Sequence, residues 1–232
     1  GGAQRIELCS ALEMGGLTPS PGLMRLATQT PIPVFVLIRP RSGDFVFSPA
    51  DLDAMLADID AVQALGLAGV VLGASNPDGT LDRNGLGRLS RAAEGLGCTL
   101  HRAVDLVPDF AEATEMAVDL GFERILSSGG QRSALEGLEG LRAIHRAARG
   151  RLGVMAGSGL TPGNIRALLD AVPVDEVHSS CSSSRATVGP AAIRLGFAEA
   201  RRRSTDPAVV VAFRTVLAGF QDERGGYDYL PA

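Results

Sequence analysis

The chain has 232 residues, enough for one large domain or two small ones with a sizeable buried core. Its net charge is −4, no basic run dominates an element, and no apolar run is long enough to span a bilayer, which argues against nucleic-acid and membrane partners. There is no lysine at all, so Schiff-base chemistry is excluded, because arginine does not supply the amine nucleophile.

The first residues, Gly1 to Gln4, carry no initiator methionine and read as a loop already entering a strand, so a preceding segment is expected to be missing. From there a unit recurs: helix, glycine, short apolar strand, polar or glycine-rich loop. The strands expected are Arg5–Cys9, Val34–Pro40, Gly69–Gly73, Thr99–Ala103, Arg124–Gly129, Leu152–Gly157 and Glu176–Ser180. Ser48-Pro49 is an N-cap followed by proline at the first helical position, Asp109 and Glu112 have capping-box spacing, and Thr161-Pro162 repeats the first device. Glycines 66, 97, 121 and 150 are placed to end helices before strands. Beyond the last strand, Ala186–Gly196 reads as a long loop, Arg201–Arg203 as the basic end of a helix, and Gly225–Ala232 as a loose tail. One domain over residues 1–220 and a tail over 221–232 follow.

Strict alternation of strand and helix implies parallel strands joined by right-handed crossovers, either in an open doubly wound sheet or in a barrel. No GxGxxG follows the first strand, so no nucleotide cofactor is evident. Seven strands, one unit short of the eight that close a ring, point to an α/β fold of the (β/α)8 TIM type lacking its first β/α unit.

Alternation along barrel strands turns Ile6, Leu8, Val36, Ile38, Leu100 and Val177 toward the helices and Arg5, Glu7, Cys9, Arg39, His101 and His178 inward. Glu7, Arg39, His101 and His178 thus converge at one rim, with Asp105 two steps beyond Ala103. They are either a catalytic set, with Glu7 or His101 as base and His178 as acid, or a buried network of mutually satisfied groups. His145 falls on a helix among charges and is expected in solvent. The turn Gly157-Ser158-Gly159, with Ser128 and Gly129, follows barrel strands that commonly cradle a phosphate. It reads as an anion site or as a plain tight turn. The three cysteines, Cys9, Cys98 and Cys181, form neither a disulfide framework nor a CxxC pair, which suggests a reduced, cytoplasmic protein.

Taken in order, the stretches RIELCSALEMGGLTPS, IRPRSGDF, HRAVD, RILSSGG, VMAGSGL and EVHSS resemble the CutC family over nearly the whole chain. The resemblance implies a (β/α)8-type barrel, a cytoplasmic location, a dimer or other small oligomer, and a role in copper homeostasis with Cu(I) bound. Family members begin with a further strand and helix, which this chain lacks. Soft thiolates suit Cu(I), which makes Cys9 and Cys181 the candidate ligands, with Met14 and Met155 near them in sequence. Cys9 is equally suited to be a small apolar filler. Two readings therefore stand side by side: a copper-handling barrel, and a lysine-free enzyme of isomerase or lyase type acting on a small phosphorylated or carboxylated metabolite.

Overall fold

The computed structural model describes residues 1–223. Seven parallel strands form one sheet in chain order: β1 (Ile6–Leu8), β2 (Val34–Leu37), β3 (Gly69–Leu72), β4 (Gly97–Leu100), β5 (Arg124–Ser127), β6 (Gly153–Ala156) and β7 (Glu176–Val177). Helices α1 (Pro21–Ala27), α2 (Pro49–Ala64), α3 (Arg83–Ala92), α4 (Phe110–Asp119), α5 (Leu138–Ala148) and α6 (Ile165–Ala171) make the crossovers. The sheet curls into an incomplete (β/α)8 barrel. Among the described residues β1 and β7 pair with no further strand, and a seam lies between them.

Parity along the strands divides the apolar residues into two layers. Val36, Ile38, Val70, Leu72, Leu100, Ile125 and Val154 pack outward against Met55, Ile59, Leu86, Leu141, Ile144 and Leu168 of the helices, forming the core. Phe35, Val71, Leu126 and Met155 are also buried but face the barrel interior, outside that cluster. Helix starts follow the expected devices in part. Ser48 and Asp51 complete a capping box at α2, and Asp109 accepts from the N–H groups of Ala111 and Glu112 at α4.

Three local expectations are corrected. The left-handed glycine that ends α3 is Gly95 (φ 87°), whereas Gly97 opens β4. Thr161-Pro162 begins a turn, not a helix: Asn164 Oδ1 accepts from Thr161 N–H, and α6 starts only at Ile165. The segment expected as loop and helix end is an antiparallel hairpin, β8 (Ser182–Ala186) with β9 (Arg201–Thr205), and a one-turn helix α7 (Pro190–Arg194) lies in its connection. Arg201 and Arg203 donate from Nε to Ser184 Oγ (2.8 Å) and Ser182 Oγ (2.9 Å), so cross-strand serines, not a helix dipole, receive the basic run. Helix α8 (Pro207–Glu223) then packs on α6 and buries Phe213 and Phe220. The expected loose tail, Gly225–Ala232, lies outside the described residues.

Candidate functional site at the barrel mouth

The interior has two polar levels. At the N-terminal floor, Glu176 of β7 accepts from Arg5, just ahead of β1, and from Arg124 Nε of β5 (3.2 Å). Arg124 also donates to Thr99 Oγ1 (3.3 Å), and Arg5 to Met155 Sδ (3.2 Å). The Phe35 ring lies 5.2 Å from the Arg5 guanidinium and 4.9 Å from that of Arg124. Burial pushes the Glu176 carboxyl up, but the two guanidinium groups outweigh it and hold the group below the usual carboxylate range. The Arg5–Glu176 pair also spans the seam that no backbone hydrogen bond closes.

At the C-terminal mouth the seam is crossed again. Glu7 Oε2 stands 3.3 Å from His178 Nδ1, while Glu7 Oε1 is buried with no hydrogen-bond partner among the described residues. His101 Nδ1 accepts from Ala103 N–H (3.1 Å), and its Nε2 is buried without a partner among the described residues. Burial lowers the His101 pKa to about 4, so the ring is neutral. Arg39 is buried, and its terminal nitrogens donate to the carbonyls of Met14 (3.1 Å), Gly16 (3.0 Å) and Gly43 (2.7 Å), while Nε has no partner among the described residues. Desolvation lowers the Arg39 pKa from its ordinary value, with the Arg41 charge adding to it. Phe45 underlies both groups, 4.8 Å from the His101 ring and 5.1 Å from the Arg39 guanidinium.

Asp105 takes a different position from the other candidates. Its carboxylate accepts from Arg102 Nε (2.7 Å), Ser127 Oγ (2.6 Å), Ser128 N–H (3.0 Å) and Gly130 N–H (3.1 Å). It thereby shapes the loop after β5. Within that loop Ser128 is fully buried, and Gly129 N–H donates to Ser127 Oγ (2.8 Å). Gly157 N–H donates to Ser127 O (3.0 Å). Ser158 (φ 81°) and Gly159 (φ 72°) are both left-handed, and their N–H groups have no acceptor among the described residues. The Ser158 hydroxyl donates to Arg132 O (2.7 Å).

Glu7, Arg39, His101, His178, Ser158 and Gly159 all border one cavity of about 910 Å³. Cys9 and Cys181 border it too. Burial, then the charges of Glu7 and Glu13, push the Cys9 thiol up and favour its neutral form. Among the described residues no group of three or more His, Cys, Asp or Glu side chains could hold a metal ion. Cys98 is buried near the start of β4 with its thiol pushed up to about 11 by burial, and His145 is half-buried on α5.

The model of the CutC family matches residues 1–183. The chain belongs to the CutC family. A CutC family protein of Sinorhizobium medicae is 56% identical over 94% of this chain and 89% of its own length. The crystal structure of a Streptococcus agalactiae CutC, described as a candidate copper homeostasis protein, superposes with a TM-score of 0.72 at 33% identity, covering 75% of this chain and 87% of that one. An Aeropyrum pernix deoxyribose phosphate aldolase superposes at a TM-score of 0.55 with 14% identity, covering 69% of this chain and 71% of that one, a likeness of fold alone. In this CutC chain the family match ends inside β8, so most of the hairpin and all of α8 lie beyond it. No described helix is long and apolar enough to cross a membrane.

Sequence reasoning singled out the mouth but missed Arg124, Glu176, Phe35 and Ser127. The signal for two of them was present: Glu176 lies two residues before His178 on the same strand face, and Arg124 stands at the inward parity of β5.

Proposed function

We propose that this CutC protein is a barrel enzyme that binds a small anionic metabolite and moves a proton beside a carbonyl, in an isomerase-like or lyase-like step. The observation that carries this reading is the Glu7–His178 contact, with the second carboxylate oxygen of Glu7 buried and bare on a cavity wall. Glu7 is the base and His178, one-third exposed, is its acid partner and link to solvent. The open N–H groups of Ser158 and Gly159 hold the anion. Ser128, Gly129 and Asp105 act one layer back, keeping the neighbouring loop in shape through hydrogen bonds among themselves.

The test is proton exchange. With dihydroxyacetone phosphate and a panel of short 2-oxo acids in D2O, wild type is expected to exchange carbon-bound hydrogen on at least one compound, read by proton NMR. Glu7→Gln and His178→Asn should each slow that exchange roughly 100-fold or more. Exchange by E7Q at the wild-type rate overturns the reading, as does wild type inert toward the whole panel.

A second reading follows from the family's association with copper and from the place of Cys9 and Cys181 on the cavity wall. In it the two thiolates receive Cu(I) as cargo, with no third His, Cys, Asp or Glu among the described residues to complete the set. The raised thiol pKa of Cys9 works against thiolate formation, so metal uptake would rise steeply with pH. Cu(I) titration against a chelator checks this: loss of one equivalent in both Cys9→Ser and Cys181→Ser supports it, and unchanged stoichiometry removes it. Assembly into a small cytoplasmic oligomer belongs to the same proposal. Its support is the hairpin arm, where Val188, Leu195 and Phe197 stand exposed among five arginines of residues 182–205 on a chain of net charge −4.

A further inference from the structure

Four buried side-chain polar atoms have no hydrogen-bond partner among the described residues, and three of them, Glu7 Oε1, Arg39 Nε and His101 Nε2, belong to residues that line the same cavity. A buried polar atom left bare carries the full cost of its desolvation, so three in residues of one wall need an explanation that packing does not give. The chemical character of each atom is fixed by its surroundings. Arg39 Nε is a donor, since guanidinium has no acceptor. Glu7 Oε1 is an acceptor while the carboxylate is ionised.

For His101 the backbone decides. Ala103 N–H donates to Nδ1, so Nδ1 carries the lone pair, and in a neutral ring the proton must sit on Nε2. The ring cannot readily turn to exchange the two nitrogens. Phe45 lies 4.8 Å away on one side, and a Cβ at Gly73 would stand only 2.5 Å from Nδ1, so the backbone of β3's end closes the other. Burial, reinforced by the Arg39 and Arg102 charges and opposed by Asp105, keeps the ring neutral at physiological pH.

We propose that His101 Nε2–H and Arg39 Nε–H form a donor pair, preset before any ligand arrives, for an acceptor oxygen of the bound molecule, and that the ligand is a small hydroxy- or oxo-acid. Its carbonyl or carboxylate oxygen lies at the donor pair and its hydroxyl or acidic C–H at Glu7. This assignment rests on the acid–base reading of the same cavity. It adds that a neutral imidazole, together with the Arg39 cation packed on the same Phe45 ring, receives charge as it builds on that oxygen, as chemistry without a lysine can use. His101 is then a donor in the site and not a base.

The wild-type protein with 15N-labelled histidine decides the first half. At pH 7 the His101 ring should show a protonated Nε2 and an unprotonated Nδ1, and titration with glycolate, which carries both a carboxylate and a hydroxyl, should move the Nε2 signal. His101→Phe should weaken glycolate roughly tenfold to a hundredfold, and His101→Gln, which keeps an N–H donor, should recover most of that loss. A protonated Nδ1, or an Nε2 signal indifferent to saturating glycolate and to the 2-oxo acid pyruvate, overturns the inference. So does equal weakening by both variants. If H101F does not fold, the wild-type spectrum still decides. Failure of the underlying acid–base reading looks different: the Nε2 signal moves with glycolate, yet no carbon-bound hydrogen exchanges.

Discussion

The floor and the mouth of this barrel hold similar residues in opposite conditions. At the floor Arg5, Arg124 and Glu176 satisfy one another, with Phe35 held against both guanidinium groups. At the mouth Glu7, Arg39 and His101 are just as deeply placed, yet each keeps one polar atom without a partner among the described residues. Burial of ionisable groups is therefore a poor guide to function in this fold, because it is common to both ends. Saturation separates them: Arg5 and Glu176 border the same cavity as Glu7, Arg39 and His101, but the floor network is complete and holds the strands together across the seam, whereas the mouth network is left with unpartnered atoms for a ligand.

That contrast is broken or sharpened by four measurements. The largest effect is expected at the floor. Glu176→Ala leaves the Arg5 guanidinium without its counter-charge and Arg124 with only the half-exposed Glu123 carboxylate, and should cost about 3–5 kcal/mol in urea unfolding, whereas Glu7→Gln at the mouth should change stability by less than about 1 kcal/mol. Equal costs would erase the distinction. Next is a pH effect. The folded His101 pKa of about 4 lies below its ordinary 6.5, so the unfolded chain takes up the proton first as pH falls. The stabilisation is complete above pH 6.5 and is lost on acidification toward pH 4, amounting to roughly 3 kcal/mol, and His101→Phe should flatten that part of the stability profile. Third, Asp105→Asn should cost about 1–3 kcal/mol and loosen the Ser127–Gly130 loop, seen as faster amide exchange there. The smallest effect is reserved for pairing without burial. Removing the exposed Arg83–Asp119 bridge by Arg83→Ala should change stability by no more than about 0.5 kcal/mol.

Much of the fold could be read from the residues because the strands are short, apolar and separated by helices of regular length. Strand parity turns Glu7, Arg39, His101 and His178 inward toward one rim, and all four border the cavity. Parity does not tell which polar atoms are taken. Arg39 faces inward as expected, but its terminal nitrogens are held by the carbonyls of Met14, Gly16 and Gly43, contacts made by loops with no periodic signature. Ser128 and Gly129 were legible as a glycine-rich turn. That Asp105, on a separate loop, would engage their backbone and hydroxyl donors is a tertiary fact. The hairpin was illegible for another reason. Serines and arginines have weak strand preference, and β8 and β9 form only because each offers the other cross-strand donors and acceptors.

The wedge at the floor has an evolutionary corollary. Phe35 fits because the next two positions across the sheet, Gly69 on β3 and Gly97 on β4, have no side chains: a methyl on Gly69 would stand 2.5 Å from the ring's Cδ1, and one on Gly97 2.6 Å from its Cζ. None of these three positions can drift alone. A bulkier residue at Gly97 is tolerated only after the aromatic has shrunk, and a shrunken aromatic strips both cations of the surface they rest on; at Gly69 even that does not suffice, because the added methyl would stand 2.5 Å from the Gly97 carbonyl oxygen. Lineages should therefore keep Gly69 and exchange Phe35 and Gly97 together or not at all, a signature of epistasis that single-site comparisons would mistake for independent constraint.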